Sequence, residues 1–239
     1  MNKLWTFGCS TIAGCELGSN LSQQDISRWW KTNTKYNNRE DFEQDTKFNY
    51  LQADQLFEKW WAYIKKSESP QLSYGGQLAK NLNKQLVSKA VSGCGMDRVF
   101  YQLAKFKDNI DWERDLVIVE LPPVYRYMTN EMIENKNQQL ALINSIEAGR
   151  VAVSLTTLEY LYSGILENIK VNFPSVKIVD SGQVMETVKY KHYTINGDIK
   201  MNELANQNIN NLEHVSYPGG HFVEDIHKQF ADKLTDLFL

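Results

Sequence analysis

The sequence predicts an α/β fold, a three-layer α/β/α sandwich built on a mostly parallel sheet. Three observations carry this. Short apolar runs recur along the chain, and the clearest, Leu116-Val117-Ile118-Val119, is continuous rather than alternating, as expected of a strand covered on both faces. Segments with apolar residues at helical spacing stand between these runs, and strand, helix, strand repetition implies right-handed crossovers with helices on both sides of the sheet. The length, 239 residues with 42% hydrophobic content, suffices to bury a full core, most simply as one domain over 1–239. Ligands of such sheets sit beyond the carboxyl ends of the strands, so the loops that follow the strands are where chemistry is sought.

In chain order, Lys3-Leu4-Trp5-Thr6-Phe7 reads as the first strand and leads into Phe7-Gly8-Cys9-Ser10, a serine in a glycine-flanked turn. Residues of about 19–70 break the alternation and read as an insertion. They are polar and aromatic, carry Trp29-Trp30 and Trp60-Trp61, and include an amphipathic helix marked by Leu56, Phe57, Trp60, Trp61 and Ile64. Two readings stand for this stretch: a lid or substrate-binding cap beside the serine, or helices packed on the body of the domain. A helix starts near Tyr74, and Leu86-Val87 is a short strand. Val99, Phe100, Leu103 and Phe106 follow helical spacing, and Leu116 to Val119 form the next strand. Leu158, Leu161, Tyr162, Ile165, Leu166 and Ile169 mark a longer helix ending before Pro174, followed by a strand at Val176-Lys177-Ile178-Val179. The last helix opens at Pro218-Gly219-Gly220-His221, ahead of Val223, Ile226, Phe230, Leu234 and Leu237.

A formal net charge of −3 gives no basic footprint for nucleic acid, and no run of about 18 apolar residues is present to span a membrane. Met1 to Trp5 lead into a strand rather than a long apolar signal core, so a cytoplasmic protein is expected. Cys9, Cys15 and Cys94 form neither an even disulfide framework nor a C-x-x-C pair, which fits reduced thiols. A metal site of Cys9, Cys94 and His221 matches no zinc spacing, and small buried cysteines are common; no metal and no organic cofactor are expected.

Ser10 and His221 are the residues with the most to say about chemistry. A hydroxyl becomes a nucleophile when a base takes its proton, and histidine, with an ordinary pKa near neutrality, is the usual base. Both residues also have a structural reading: a serine in a strand-to-helix turn is often a helix N-cap, and a lone histidine near a helix start is often satisfied by its own fold. His227 reads as a structural position in the terminal helix, and His192 and His214 have no motif around them. Cys9 is the other candidate nucleophile.

Taken in order, Phe7-Gly8-Cys9-Ser10 with Gly14 and Glu16-Leu17, Ser73 to Ala79, Ser92-Gly93-Cys94-Gly95-Met96-Asp97, Asp115 to Val119, and Gly220-His221 with His227 to Ala231 resemble the blocks of the SGNH or GDSL hydrolases. The resemblance runs nearly end to end except for the insertion, and blocks of this style resemble those of phage and bacterial proteins. It implies a flavodoxin-like α/β/α fold and hydrolysis of an ester, with a glycan or other small-molecule ester as substrate. It also implies Ser10 as nucleophile, His221 as base, and the amides of Ser10 and Gly93 as the oxyanion hole. Donors preset where charge develops are worth about two to three orders of magnitude each in rate.

The chain departs from the family pattern in two blocks. After Val119 it reads Glu120-Leu121-Pro122-Pro123-Val124-Tyr125-Arg126, without the asparagine that the family lends to the oxyanion hole; Met96 holds the alternative position for one. Pro218 and Gly219 stand where an aspartate would orient the histidine. Glu120 could orient the histidine, polarise a ligand, or pair with Arg126 as a strand-end carboxylate. Asp225 could interact with His221 one helical turn away, or serve as a favourable charge in a helix's first turn. A serine esterase or deacylase is the first reading. A catalytically degenerate domain that binds a glycan or small ligand is the alternative, as is an acyltransferase that passes the same covalent intermediate to another alcohol.

Overall fold

The computed structural model describes residues 2–15, 17, 69–124, 155–182, 185–208 and 222–239. Its first strand, β1 (Lys3–Phe7), sends alternate side chains into two separate hydrophobic clusters, and this alternation sets the layers. Trp5 and Phe7 join Val117, Val119 and Ile178 on one face, while Leu4 joins Ile118 and Val179 on the other. The remaining strands are β2 (Gln85–Ser88), β3 (Leu116–Glu120) and β4 (Lys177–Val179). Their spatial order is β2-β1-β3-β4 and each pairing is parallel, with Trp5 opposite Val87 and Val117, and Val119 opposite Ile178.

Parallel strands expose both faces to burial, and helices cover each. Six α-helices lie among the described residues: α1 (Ser10–Ala13), α2 (Tyr74–Asn81), α3 (Met96–Phe106), α4 (Leu155–Asn172), α5 (Met201–Asn208) and α6 (Glu224–Thr235). Met96, Val99 and Leu103 of α3 and Tyr162, Leu166 and Ile169 of α4 pack on the Trp5 face. Tyr74, Leu78 and Ala79 of α2, Met201 and Leu204 of α5, and Ile226, Phe230 and Leu234 of α6 pack on the Leu4 face. The fold is therefore the predicted α/β/α sandwich around a parallel sheet. Its starting edge is pinned by Asp115, which accepts from Lys3 N and from Trp5 Nε1, both at 2.8 Å.

The strands fall where the apolar runs predicted, with small shifts at their ends: β2 gains Gln85 and Ser88, β4 starts at Lys177 rather than Val176, and β3 continues past Val119 to Glu120, which is 1% exposed. Two apolar positions differ from the helical pattern. Leu161 is 37% exposed because it neighbours Tyr162, and adjacent helical residues lie about 100° apart around the axis. Leu237 is 46% exposed because α6 ends at Thr235, two residues short of it. The residues expected to form the aromatic insertion, among them Trp29, Trp30, Leu56, Phe57, Trp60, Trp61 and Ile64, lie outside the described residues.

Candidate active site

Central strand β1 has β2 on one side and β3 on the other, so the sheet reverses its winding between β1 and β3. A crevice opens at the carboxyl ends of the strands at such a point. The chain leaves β1 at Phe7, passes Gly8 and enters α1 directly. Gly8 is required by close approach: a Cβ there would lie 2.6 Å from Ile12 Cγ2 and 2.7 Å from Glu120 Cβ. Cys9 is the N-cap of α1 and makes no side-chain cap bond, so Ser10 is the first helical residue and not the N-cap. Its side chain is nearly buried, and Cys9 Sγ stands 3.6 Å from Ser10 Oγ.

The loop after β2 is bonded onto this turn. Val91 N donates to Gly8 O at 2.9 Å, Cys94 Sγ donates to the same oxygen at 3.1 Å, and Ser92 Oγ approaches Cys15 Sγ at 3.7 Å. Gly93, between them, has φ +78°, in the left-handed region, and a Cβ there would meet nothing within 4 Å. The glycine turn predicted to serve the oxyanion hole is thus held against the serine turn by two bonds to one carbonyl. The three cysteines are buried, and none is in a disulfide.

A third group enters from β3. Glu120 Oε2 accepts from Ile12 N at 3.1 Å, so a carboxyl from the neighbouring strand meets an amide of α1's first turn, the group that a capping side chain would ordinarily satisfy. Burial, and then the Cys9 thiol, push the Glu120 pKa up to about 8; the amides of Ile12 and Cys9 and the Ser181 hydroxyl act in the opposite direction. The raised value favours the neutral carboxyl over the carboxylate at neutral pH. On its far side stands Tyr74, fully buried, whose hydroxyl is raised well above the ordinary tyrosine value by burial and by the Glu120 and Asp180 carboxyls. Asp180 itself is fixed at the end of β4: its Oδ1 accepts from Gly182 N and its Oδ2 from Lys200 Nζ, each at 2.8 Å.

Of the residues singled out in the sequence, Ser10, Gly93, Cys9, Cys94 and Glu120 converge at this end of the sheet. His221 and Arg126 lie outside the described residues, as does His214. Asp225 is exposed in the first turn of α6, as suits a charge near a helix N-terminus. His227 is structural: fully buried, it accepts from Tyr74 N through Nδ1 at 3.0 Å and stacks on the Tyr74 ring. His192 is exposed and packs against Tyr193. Sequence reading missed Tyr74, Asp180 and Ser181. The last two directly follow a predicted strand, the rule that had drawn attention to Glu120; no sequence signal singled out the Tyr74 hydroxyl.

Among the described residues no group of three or more His, Cys, Asp or Glu side chains is arranged to hold a metal ion, and no helix is long and apolar enough to cross a membrane. A 710 Å³ cleft lined by Phe100, Trp112, Asn168 and Phe173 opens elsewhere, near the starts of β3 and β4 and so at the opposite end of the sheet from Ser10.

Fold and site together define a doubly wound α/β protein with a serine turn at its switch point. No protein-family model matches the chain, and no curated protein matches it by sequence. Solved structures are similar to it at low identity. One is a carbohydrate esterase whose active site displays divergent catalytic and non-catalytic binding functions, 11% identical with a TM-score of 0.47, over 98% of this chain and 67% of that one. A second is a lipolytic protein of the G-D-S-L family from Desulfitobacterium hafniense DCB-2, 9% identical with a TM-score of 0.39 over 99% of both chains. A third is an active-site mutant of a family two carbohydrate esterase from Clostridium thermocellum, 15% identical with a TM-score of 0.40, over 98% of this chain and 62% of that one.

The two glycines give contrasting expectations. Gly8→Ala forces a Cβ into Ile12 and Glu120, so the turn must move; a loss of about 1–3 kcal/mol in urea unfolding is expected, with loss of any activity that depends on Ser10. Gly93→Ala has room for its methyl and carries only the left-handed backbone cost of about 1–2 kcal/mol.

Proposed function

We propose that this chain is a serine-dependent ester hydrolase of the SGNH/GDSL type that removes an acyl group from a carbohydrate or other small metabolite. The observation that carries the reading is the position of Ser10, at the carboxyl end of the central strand, with the Gly93 turn bonded to the carbonyl two residues before it. In this reading Ser10 Oγ attacks the ester carbonyl carbon while His221 takes the hydroxyl proton. The amides of Ser10 and Gly93 hold the oxyanion. As the intermediate collapses, the bond to the leaving alcohol breaks and His221 returns the proton to that oxygen. Water then attacks the acyl-Ser10 carbonyl, gives its proton to His221, and releases the carboxylic acid with Ser10 reprotonated. Every proton is accounted for by the pair, the leaving alcohol and the water, and no metal or cofactor enters.

The test compares release of acetate from an acetylated sugar and from a small activated acetate ester. Turnover of both is expected, and turnover of neither contradicts the reading. A second reading, ligand binding without turnover, is favoured by Glu120, which occupies the segment where the family carries an oxyanion asparagine. Saturable binding of the acetylated sugar with no acetate released supports it.

A further inference from the structure

Glu120 is unusual for what surrounds it. Its side chain is 1% exposed, and among the described residues no cation forms an ion pair with it. Oε2 accepts the Ile12 amide, whereas Oε1 is buried without a hydrogen bond of ordinary geometry among the described residues. The groups facing it are the Cys9 thiol from the serine turn, the Tyr74 hydroxyl from α2, and Ser181 just past β4; the nearby Asp180 carboxylate is already matched by Lys200. Gly8, which lacks a Cβ, allows the Glu120 side chain to reach α1 at all. Cys9 contributes no side-chain cap, so the first turn of α1, with Ser10 at its start, is anchored from the neighbouring strand.

We propose that Glu120 is a proton-operated positioning residue for Ser10: as a neutral carboxyl it anchors the serine turn across the sheet, and on ionisation it turns the site off. Two consequences of a bare carboxylate act together. Among the described residues it has no matched cation, and burying such a charge costs more than the tighter bond from Ile12 N returns, so the turn and its surroundings shift to admit water. Its negative charge also opposes the charge that develops at the reacting carbonyl beside Ser10, in surroundings where water screens poorly. Burial pushes the pKa of this carboxyl up to about 8, which places the expected change within the range in which such an enzyme is assayed.

The activity part of this proposal rests on the hydrolase reading, whereas the positioning part does not, and two measurements separate them. In the intact protein, the backbone amide resonances of Cys9 and Ile12 are followed by NMR from pH 6 to pH 10. They are expected to shift with a common midpoint near 8 in the wild type and to stay constant in Glu120→Gln, which keeps an acceptor oxygen for Ile12 N but has no proton to lose. In parallel, kcat/KM for a small acetate ester is expected to fall roughly tenfold per pH unit above that midpoint in the wild type. In Glu120→Gln, whatever its plateau, that alkaline fall is absent. Amides that do not titrate in the wild type, or that titrate equally in Glu120→Gln, overturn the proposal, as does an alkaline fall that survives the substitution. If Glu120→Gln does not fold, the wild-type amides decide alone, since no common midpoint near 8 overturns it. Titrating amides without ester turnover support the positioning role and count against the hydrolase reading.

Discussion

Ser10→Ala is expected to lower kcat/KM for a small activated ester by at least about three orders of magnitude, leaving only what binding and the oxyanion donors supply. His221→Ala is expected to be similarly severe, and the double variant little worse, because a nucleophile and its base act as one proton-transfer unit and their losses do not add. Steady-state kinetics on the three variants checks this. Substantial activity in Ser10→Ala would shift attention to Cys9, whose sulfur stands 3.6 Å from the serine oxygen and would face the same crevice. A thiolate is a competent nucleophile in its own right, so Cys9→Ala is the control that distinguishes the two.

Phe230→Ala is expected to cost about 3–5 kcal/mol in urea unfolding, the largest stability effect among the single changes considered. Phe230 is 0% exposed on α6 and meets the Tyr74 ring edge-on, with centroids 5.0 Å apart. Its loss leaves a cavity between α2 and α6 that the helices can fill only by moving together. Tyr74 N also donates to His227 Nδ1, and Tyr74 stands beside Glu120, so the damage should extend to the serine turn and lower activity even where the protein remains folded. Leu237→Ala, at a position 46% exposed beyond the helix end, is expected to stay within about 0.5 kcal/mol.

The fold was legible in the sequence because its signals are local. A short continuous apolar run rich in β-branched residues, such as Leu116 to Val119, suits a strand covered on both faces, and Tyr162, Leu166 and Ile169 repeat at the interval that keeps one side of a helix buried. The strands' carboxyl ends then marked Ser10, Gly93 and Glu120 as neighbours before any distance was known. The capping of α1 was not legible. Pairing Glu120 with Ile12 spans 108 positions, and nothing in the local sequence distinguishes a carboxyl that bonds a helix amide across the sheet from one that meets a surface arginine. The same holds for His227, whose bond to the Tyr74 amide spans 153 positions and depends on α6 packing against α2. Glu120's elevated pKa likewise arises from burial, which no neighbouring residue in the sequence announces.

The central claim is that Ser10 is an activated nucleophile, and covalent labelling tests it most directly. Incubation of the intact protein with an organophosphonate ester, followed by peptide mass spectrometry, is expected to find the phosphonyl group on Ser10, at one equivalent per chain, and to find none in His221→Ala. An unmodified Ser10 in the wild type, or equal modification of Ser10 when His221 is absent, would contradict it.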